Sequence, residues 1–467
     1  MIRYFWIMII GRNYEKVIKS VLKKIKPSEE EVKEYNSFMD YIVKELNEMT
    51  PKDIEIKPVG SIAKGTFLKG DADFDIFILF PKSYYVRDVE SLGIKWAKEF
   101  VKKLKAKRKK IEIAYAQHPY LRAFIDGKEI DFVPSYKITD SSEVETAVDR
   151  SQLHTEYIKA HMTEEMKDEV RLLKQFLKGI GIYGAEGKVM GFSGYLCELL
   201  ILAHSSFLNL LESASSWKNP CYDIEHGLSE VNMREKFKAP MIFVDPVDEN
   251  RNVAAAVSKT SLSIFIHYAN KFLKNPSEKF FFPIRERINF GWMKKQLSMR
   301  DSKIYLLEFD KPNVVDDILW PQIYKLSSKI FDNAKRYDFS VFDVYSFEKK
   351  KGEKSKIGMI VEFEVHSLPK MRKIYGPPIY IMEDVEKFIE KNKVTEPIWI
   401  ENERILAIGK RKFCEAKEFL KDFIKNREKY GFPPNLRKIN IKILETKDIV
   451  KKYPEYLYSY LKVRNIP

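Results

Sequence analysis

Apolar residues recur at helical spacing at Tyr14, Val17, Ile18, Val21, Leu22 and Ile25, which predicts an amphipathic helix stopped by Pro27. Ser28 and Glu31 then form a capping box ahead of a second stripe, Val32, Tyr35, Phe38, Met39, Ile42, Val43 and Leu46, ending near Met49. Upstream of both, MIRYFWIMII is apolar, but about ten residues fall short of a membrane span. Gly11-Arg12-Asn13 follows it without a small-residue cleavage site, so this segment reads as a docked N-terminal strand or the product of an upstream start.

After residue 50 the period changes to two. Strands are predicted at Ile54 and Ile56, from Phe74 to Phe80, from Ile111 to Ala116, from Tyr120 to Ile125 and from Ile130 to Val133, with Asp126-Gly127 as a hairpin turn between the last two. From Thr155 to Asn275 the pattern is mostly helical, clearest from Met166 to Lys178, with a glycine-rich break at Gly179, Gly181 and Gly184. Beyond Pro276 come strands (Lys303 to Phe309, Lys356 to Val365, Ile398 to Ile408, Lys438 to Leu444) mixed with helices (Pro321 to Ala334, Glu383 to Lys391, Cys414 to Lys429). Glu348 to Lys356 reads as an exposed turn. The fold class is therefore α+β and multidomain: a small mixed sheet with helices over residues 1–155, a helical region over 156–275, and further α+β units over 276–467.

Composition narrows the function. Aromatic residues at 13% and hydrophobic residues at 45% exclude a disordered chain. An excess of 82 Lys and Arg over 67 Asp and Glu gives a net charge of +15, which favours a polyanionic partner. Cys197, Cys221 and Cys414 are scattered and form no CxxC pair, so neither a disulfide framework nor a zinc site is indicated, and a cytoplasmic location fits.

The chemistry concentrates in GSIAKGTFLKGDADFDIFILF, Gly60 to Phe80. Residues i and i+2 of a strand share a face, so Asp73 and Asp75 present two carboxylates together, an arrangement that calls for a cation and suits Mg²⁺. Gly60 permits close backbone approach, and Ser61 and Lys64 offer a hydroxyl and a cation to phosphate oxygens. Asp131, in KEIDFVPSY, is a third carboxylate on a strand that can lie beside the first and complete a two-metal site with ions about 4 Å apart. Asp71 reads as a surface residue.

The Gly-Ser turn, the Asp-Phe-Asp strand and the later Asp resemble the DNA polymerase β-type nucleotidyltransferase superfamily. With YAQHPY, EIDFVPSY, VRLLKQFLKGIGIYGAE, GFSGYLCELLI and DPVDENRNVAAAVS in this order, the chain more narrowly resembles the archaeal, class I CCA-adding enzymes, at least from Gly60 to Ser258. The resemblance implies a polymerase β-like catalytic domain, a helical central domain completing the nucleotide pocket, and C-terminal domains that bind tRNA. It implies that Asp73, Asp75 and Asp131 hold two Mg²⁺ ions, Asp131 also helping to draw the proton from the attacking hydroxyl. The first of these is often Glu in the family, and Asp73 is one methylene shorter.

By the same resemblance Ser61, Lys64, His154, Lys174 and Tyr183 contact CTP or ATP, with Lys64 where the family frequently has Arg, and Arg251 beside Asn252 reads the base. Lys167, Arg171, Lys174 and Lys178 form one outward-facing basic stripe, of which Arg171 and Lys178 have no assigned role. Asp245 and Asp248 read as cap or loop residues, and Tyr115, His118 and Tyr120 as packing or stacking groups. KMRKIYGPP (Lys370 to Pro378) and Gly409 to Lys412 suit an RNA backbone, whereas Lys417, Lys421 and Lys425 read as a solvated stripe.

The implied activity is template-independent addition of C, C and A to the tRNA 3′ end from CTP and ATP, with a second CCA on unstable tRNAs; the implied partner is tRNA, held at its 3′ end and acceptor region. No membrane association is expected, and a homodimer follows by family analogy. A poly(A) polymerase-like RNA adenylyltransferase is the nearest alternative. An RNA-binding protein with a dead nucleotidyltransferase fold is a more distant one, which three intact carboxylates speak against. No RRD-like run follows the carboxylates, unlike the bacterial and eukaryotic class II enzymes.

Overall fold

A computed structural model describes residues 2–115, 119–146, 148–284, 287–352, 354–393 and 397–462. Contacts divide the chain into two units, Met1–Arg285 and Glu286–Arg464.

The first unit begins with α1 (Ile2–Ile25) and α2 (Glu29–Met49), the latter capped by Ser28 and Glu31 as expected. The strand expected at the N-terminus is instead the first turns of α1. Gly11 costs a helix only about 1 kcal/mol and no proline intervenes, so the helix runs through Gly11-Arg12-Asn13. A five-stranded sheet follows, β1 (Glu55–Val59), β2 (Asp73–Phe80), β3 (Lys109–Tyr115), β4 (Pro119–Ile125) and β5 (Lys128–Tyr136), in the order β1-β2-β5-β4-β3. Only β2 and β5 are parallel. A short helix, α3 (Gly60–Lys64), joins β1 to the loop before β2.

The pleat sorts the chemistry. Phe74, Ile76, Ile78 and Phe80 of β2, Ile130 and Phe132 of β5, and Leu121 and Ala123 of β4 face one core. Met39, Ile42 and Leu46 of α2 and Trp96 and Phe100 of α4 (Val86–Lys103) cover it. The alternate residues, Asp73, Asp75 and Phe77, Asp131 and Val133, Tyr120 and Arg122, belong to the opposite face. Helix α4 had no place in the expected pattern, although Val89, Gly93, Trp96 and Phe100 keep helical spacing and are buried. It lies close to β5 because Gly93 has no side chain: a β-carbon there would sit 2.6 Å from Pro134 Cγ.

A second core joins α5 (Arg150–His161), α6 (Glu164–Gly179), α7 (Gly194–His204) and α8 (Phe207–Ala214) to α10 (Lys259–Lys274) around Phe176, Phe207, Phe265 and Phe272. Val21 and Ile25 of α1 pack into this helical core rather than against the sheet. Between α8 and α10 the chain forms β6 (Cys221–Tyr222), α9 (Glu230–Lys236), β7 (Ile242–Asp245) and β8 (Asp248–Asn252), and the three strands make a small sheet where helix was expected. No single helix among the described residues is long and apolar enough to cross a membrane. The apolar pair α7 and α8 is bent by 90° and contributes to the buried core.

The second unit carries α11 (Phe290–Ser298), β9 (Lys303–Asp310), α12 (Asp316–Arg336), β10 (Ser340–Lys351), β11 (Lys354–Val365), β12 (Met371–Pro378), α13 (Met382–Asn392), β13 (Ile398–Glu401), β14 (Arg404–Lys410), α14 (Ala416–Lys425), β15 (Lys442–Glu445), α15 (Thr446–Lys452) and α16 (Pro454–Lys462). Its sheets are ordered β10-β11-β9-β15 and β12-β14-β13. The exposed turn expected from Glu348 to Lys356 is mostly paired strand, with Lys349 opposite Lys356 and Lys351 opposite Lys354. Backbone pairing tolerates charged side chains that project to solvent, so the turn shrinks to the residues around Gly352.

Candidate active site

Two parallel strands set the centre of the site: Asp75 is directly opposite Asp131, and Asp73 is opposite Glu129. Carboxylates this close disfavour one another's charge. Burial first, then Asp131 and Asp73, push the Asp75 carboxyl up to about 7, and partial burial with Asp71 and Asp131 raises Asp73 as well. The neighbouring strand supplies a cation that sequence reasoning missed. Arg122 is opposite Asp131 on β4 and donates from Nε to Oδ1 at 2.8 Å and from Nη2 to Oδ2 at 2.7 Å. It also reaches the Tyr120 hydroxyl at 3.1 Å and Glu129 at 2.9 Å. This fork fixes the orientation of Asp131. Among the described residues no three His, Cys, Asp or Glu side chains are gathered around a single point.

Gly60 begins α3 with φ +75°, and a β-carbon there would lie 1.9 Å from Asp75 Oδ2. The expected close approach thus has a specific object, the carboxylate itself. Gly60→Ala is expected to slow nucleotide incorporation by about 10²-fold, because displacing a reacting-centre group by about 1 Å costs that much. Gly127→Ala, at another positive-φ glycine with open space around it, serves as the control and should change the rate by less than about threefold in the same steady-state assay.

One turn further along α3, Lys64 is buried and paired with Glu198 of α7. Thr66 donates to the other Glu198 oxygen at 2.6 Å, and the Lys174 ammonium lies 3.6 Å from that oxygen and 3.1 Å from both Thr66 oxygens. Burial lowers the Lys174 pKa, and although burial opposes it, Lys64 and Lys174 together hold Glu198 below its ordinary value. Glu198 was not singled out from sequence. A lone Glu in the apolar run GYLCELLILAH carried the signal, since a buried charge demands partners.

A second buried carboxylate organises the neighbouring groups His154, Tyr195 and Arg251. Asp245 accepts from His154 Nε2 at 2.8 Å and from Arg251 Nη1 at 2.6 Å on one oxygen, and from the Tyr195 hydroxyl at 3.1 Å on the other. Tyr195 stacks on His154 with ring centroids 3.9 Å apart. Burial lowers the His154 pKa; burial also opposes the Asp245 charge, but His154 first and then Arg251 hold the Asp245 carboxyl down at about 2. Asp245 is thus a fully buried strand residue, not a cap or loop group, and Arg251 stands on β8. The signal was the apolar run MIFVD, which buries its last residue.

These groups enclose a cleft of about 300 Å³ whose wall includes Gly60, Lys64, Asp75, Tyr120, Asp131 and His154. Among the other expected residues, Ser61 adjoins Gly60, Asp73 lies two residues from Asp75 along β2, and Arg251 reaches the site through Asp245. Lys174 lies behind Thr66, and Tyr183 is half-buried beneath the Lys178 ammonium, 5.1 Å from its ring centre. The basic stripe of α6 faces inward, contrary to expectation: Arg171 and Lys174 are buried. Arg171 binds the main-chain carbonyls of Gly65 and Phe67, Lys174 that of Thr66, and Lys178 the side chain of exposed Asp71. Loop carbonyls outcompete solvent for these cations because they lie within reach of one helix face. His118, and the side chain of Tyr115, lie outside the described residues.

Three family descriptions match the chain in sequence: the nucleotidyltransferase domain over residues 39–154, the second domain of tRNA nucleotidyltransferase over 168–282, and the C-terminal domain of the CCA-adding enzyme over 300–439. The CCA-adding enzyme of Methanocaldococcus jannaschii is 36% identical over 443 residues, covering 92% of this chain and 95% of its own. The chain belongs to the CCA-adding enzyme family. Other members agree: that of Methanothermobacter thermautotrophicus is 37% identical, covering 87% of both chains, and that of Saccharolobus islandicus 37%, covering 88% and 93%. Among solved structures, the Cid1 RNA terminal uridylyl transferase matches 57% of this chain and 97% of its own with TM-score 0.44 and 16% identity.

Proposed function

We propose that this CCA-adding family member transfers CMP twice and AMP once to the 3′ end of tRNA, using the cleft around Asp75 and Asp131. The observation that carries this is the direct opposition of Asp75 and Asp131 on parallel strands, with the Gly60 backbone against Asp75 and Lys64 in the same wall. The donor set fits hard divalent cations: Asp73, Asp75 and Asp131 offer only oxygen, and a cation would favour the charged forms that burial first, and then the neighbouring carboxylates, disfavour at Asp73 and Asp75. An ionised carboxylate has about four lone-pair sites, so Asp131 can keep Arg122 and still accept another partner. Asp73, Asp75 and Asp131 would therefore hold two Mg²⁺ ions. Bound there, they would stabilise charge on the transferring phosphoryl group and activate the attacking hydroxyl.

The protein's own part is positioning. Arg122 aims Asp131, and Gly60 lets the α3 backbone and Ser61 approach the phosphates. Lys64 and Lys174, held at one carboxylate, present cations to the triphosphate, with Tyr183 beside them. His154, stacked on Tyr195, and Arg251, fixed by Asp245, orient the nucleotide base and sugar. Residues 1–155 would serve as the catalytic domain, residues 156–275 would close the nucleotide pocket, and residues 276–467 would carry tRNA.

Supplying CTP and ATP separately to tRNA that lacks its CCA end tests the reading. CTP alone is expected to extend the acceptor by two residues, and ATP to add one residue only after them. Runs of AMP without use of CTP would turn the assignment to a poly(A) polymerase-like enzyme.

A further inference from the structure

The second unit carries a basic depression of about 960 Å³ between the end of α14 and the segment leading into β15. Lys421, Lys425, Arg427, Lys429, Arg437 and Lys438 line it, against a single carboxylate, Glu428. Several other cations of this unit have acidic partners: Lys412 pairs with Asp422, Lys417 with Glu445, Arg300 with Glu362 and Lys356 with Glu308. Lys421, Lys425 and Lys438 are exposed and form no ion pair among the described residues. Six cations around one carboxylate give this depression a concentrated positive charge.

The frame beneath is fixed. Arg427 donates from Nη1 to the carbonyls of Arg437 and Ile439 and from Nε to that of Ile424, and Arg437 donates from Nε to the carbonyl of Phe432. These bonds tie the two walls together and hold the lysine-bearing segments at a set separation without using the lysine charges. Asn426 and Asn440 add neutral hydrogen-bonding groups to the lining. Such a surface, cationic and lacking aromatic platforms among its lining residues, suits phosphates and not bases.

We infer that this depression binds the phosphodiester backbone of tRNA, a contact site none of whose residues line the cleft described above. Lys421 and Lys425 are then RNA contacts rather than the solvated stripe that their helical spacing suggests. The inference rests on the reading of the chain as a tRNA nucleotidyltransferase. A backbone contact carries no base sequence, which an enzyme acting on every tRNA requires.

The test is the full-length protein with Lys421→Gln, Lys425→Gln and Lys438→Gln combined, compared with the corresponding Arg triple. Affinity for CCA-less tRNA is measured by fluorescence anisotropy across a salt series. The Gln triple is expected to bind about tenfold more weakly near ~0.15 M salt, with the slope of log K against log salt shallower by about 2 to 3; the Arg triple is expected to match wild type. CMP incorporation at saturating tRNA, and the KM for CTP, should be unchanged in both. Wild-type tRNA affinity and slope in the Gln triple would overturn the inference, and so would a loss confined to binding of phosphatidylserine vesicles. Failure of the wild-type protein itself to bind tRNA or incorporate CMP would instead overturn the functional reading.

Discussion

An Asp75→Asn protein is expected to incorporate CMP into CCA-less tRNA about 10³-fold more slowly than wild type, the equivalent of losing several kcal/mol of transition-state charge stabilisation. Asparagine keeps the shape and the packing against Gly60, so the loss should fall on kcat with little change in tRNA binding. The same substitution is expected to raise thermal stability when divalent cations are removed with EDTA at pH 8. The sign follows from proton linkage. The folded Asp75 carboxyl is pushed up to about 7, while an unfolded Asp titrates near ~4. Between those values the folded state retains a proton that the unfolded chain has released, so wild-type stability falls as pH rises through that window. Asparagine escapes this fall, and its advantage should shrink toward pH 4. A variant that is no more stable than wild type in EDTA at pH 8, or one that retains full activity, would show that Asp75 is not the crowded carboxylate described.

The largest expected effect on stability belongs to Glu198. Glu198→Leu is expected to destabilise the protein by about 3 to 5 kcal/mol in urea unfolding, since it strands the buried Lys64 and Lys174 ammonium groups without their counter-charge. The decisive comparison is the triple variant Glu198→Leu, Lys64→Met, Lys174→Met. With all three charges replaced by apolar groups, most of the loss should return, because the cost lies in the uncompensated charge and not in the missing bond. Equal destabilisation of the single and triple variants would show that Glu198 contributes packing alone.

The residues around Asp75 show what a linear pattern exposes. Alternation in DFDIFILF is enough to assign Asp73 and Asp75 to one face and Phe74 and Ile76 to the other, and the strand that carries Asp131 is equally legible. Arg122 is different. Its meaning depends on β4 lying antiparallel to β5 in the register that sets residue 122 against residue 131, and strand register is a long-range property that no local window contains. Glu198 and Asp245 lie between these cases: a single carboxylate in an apolar stretch signals a buried charge, but the partners come from residues 134 and 91 positions away along the chain. Local pattern misleads at α1 for an opposite reason, because an apolar run of about ten residues is compatible with strand or helix and the helix downstream simply continues through it. On α6 the period is legible but the exposed face is not, since the carbonyls that draw Arg171 and Lys174 inward lie on a loop some hundred residues earlier.

That loop has one more property. Its main-chain carbonyls at Gly65, Thr66 and Phe67 are all taken by two side chains of one helix, Arg171 and Lys174. A carbonyl accepts regardless of the side chain attached to it, so these bonds fix the path of the backbone, while the Thr66 hydroxyl and the buried Phe67 and Leu68 tie down residue identity there. Spacing matters as well, because a residue inserted between Gly65 and Phe67 would shift these carbonyls out of step with the helix. The start of the stretch between α3 and β2 therefore behaves as a ruler, measured in backbone carbonyls against α6.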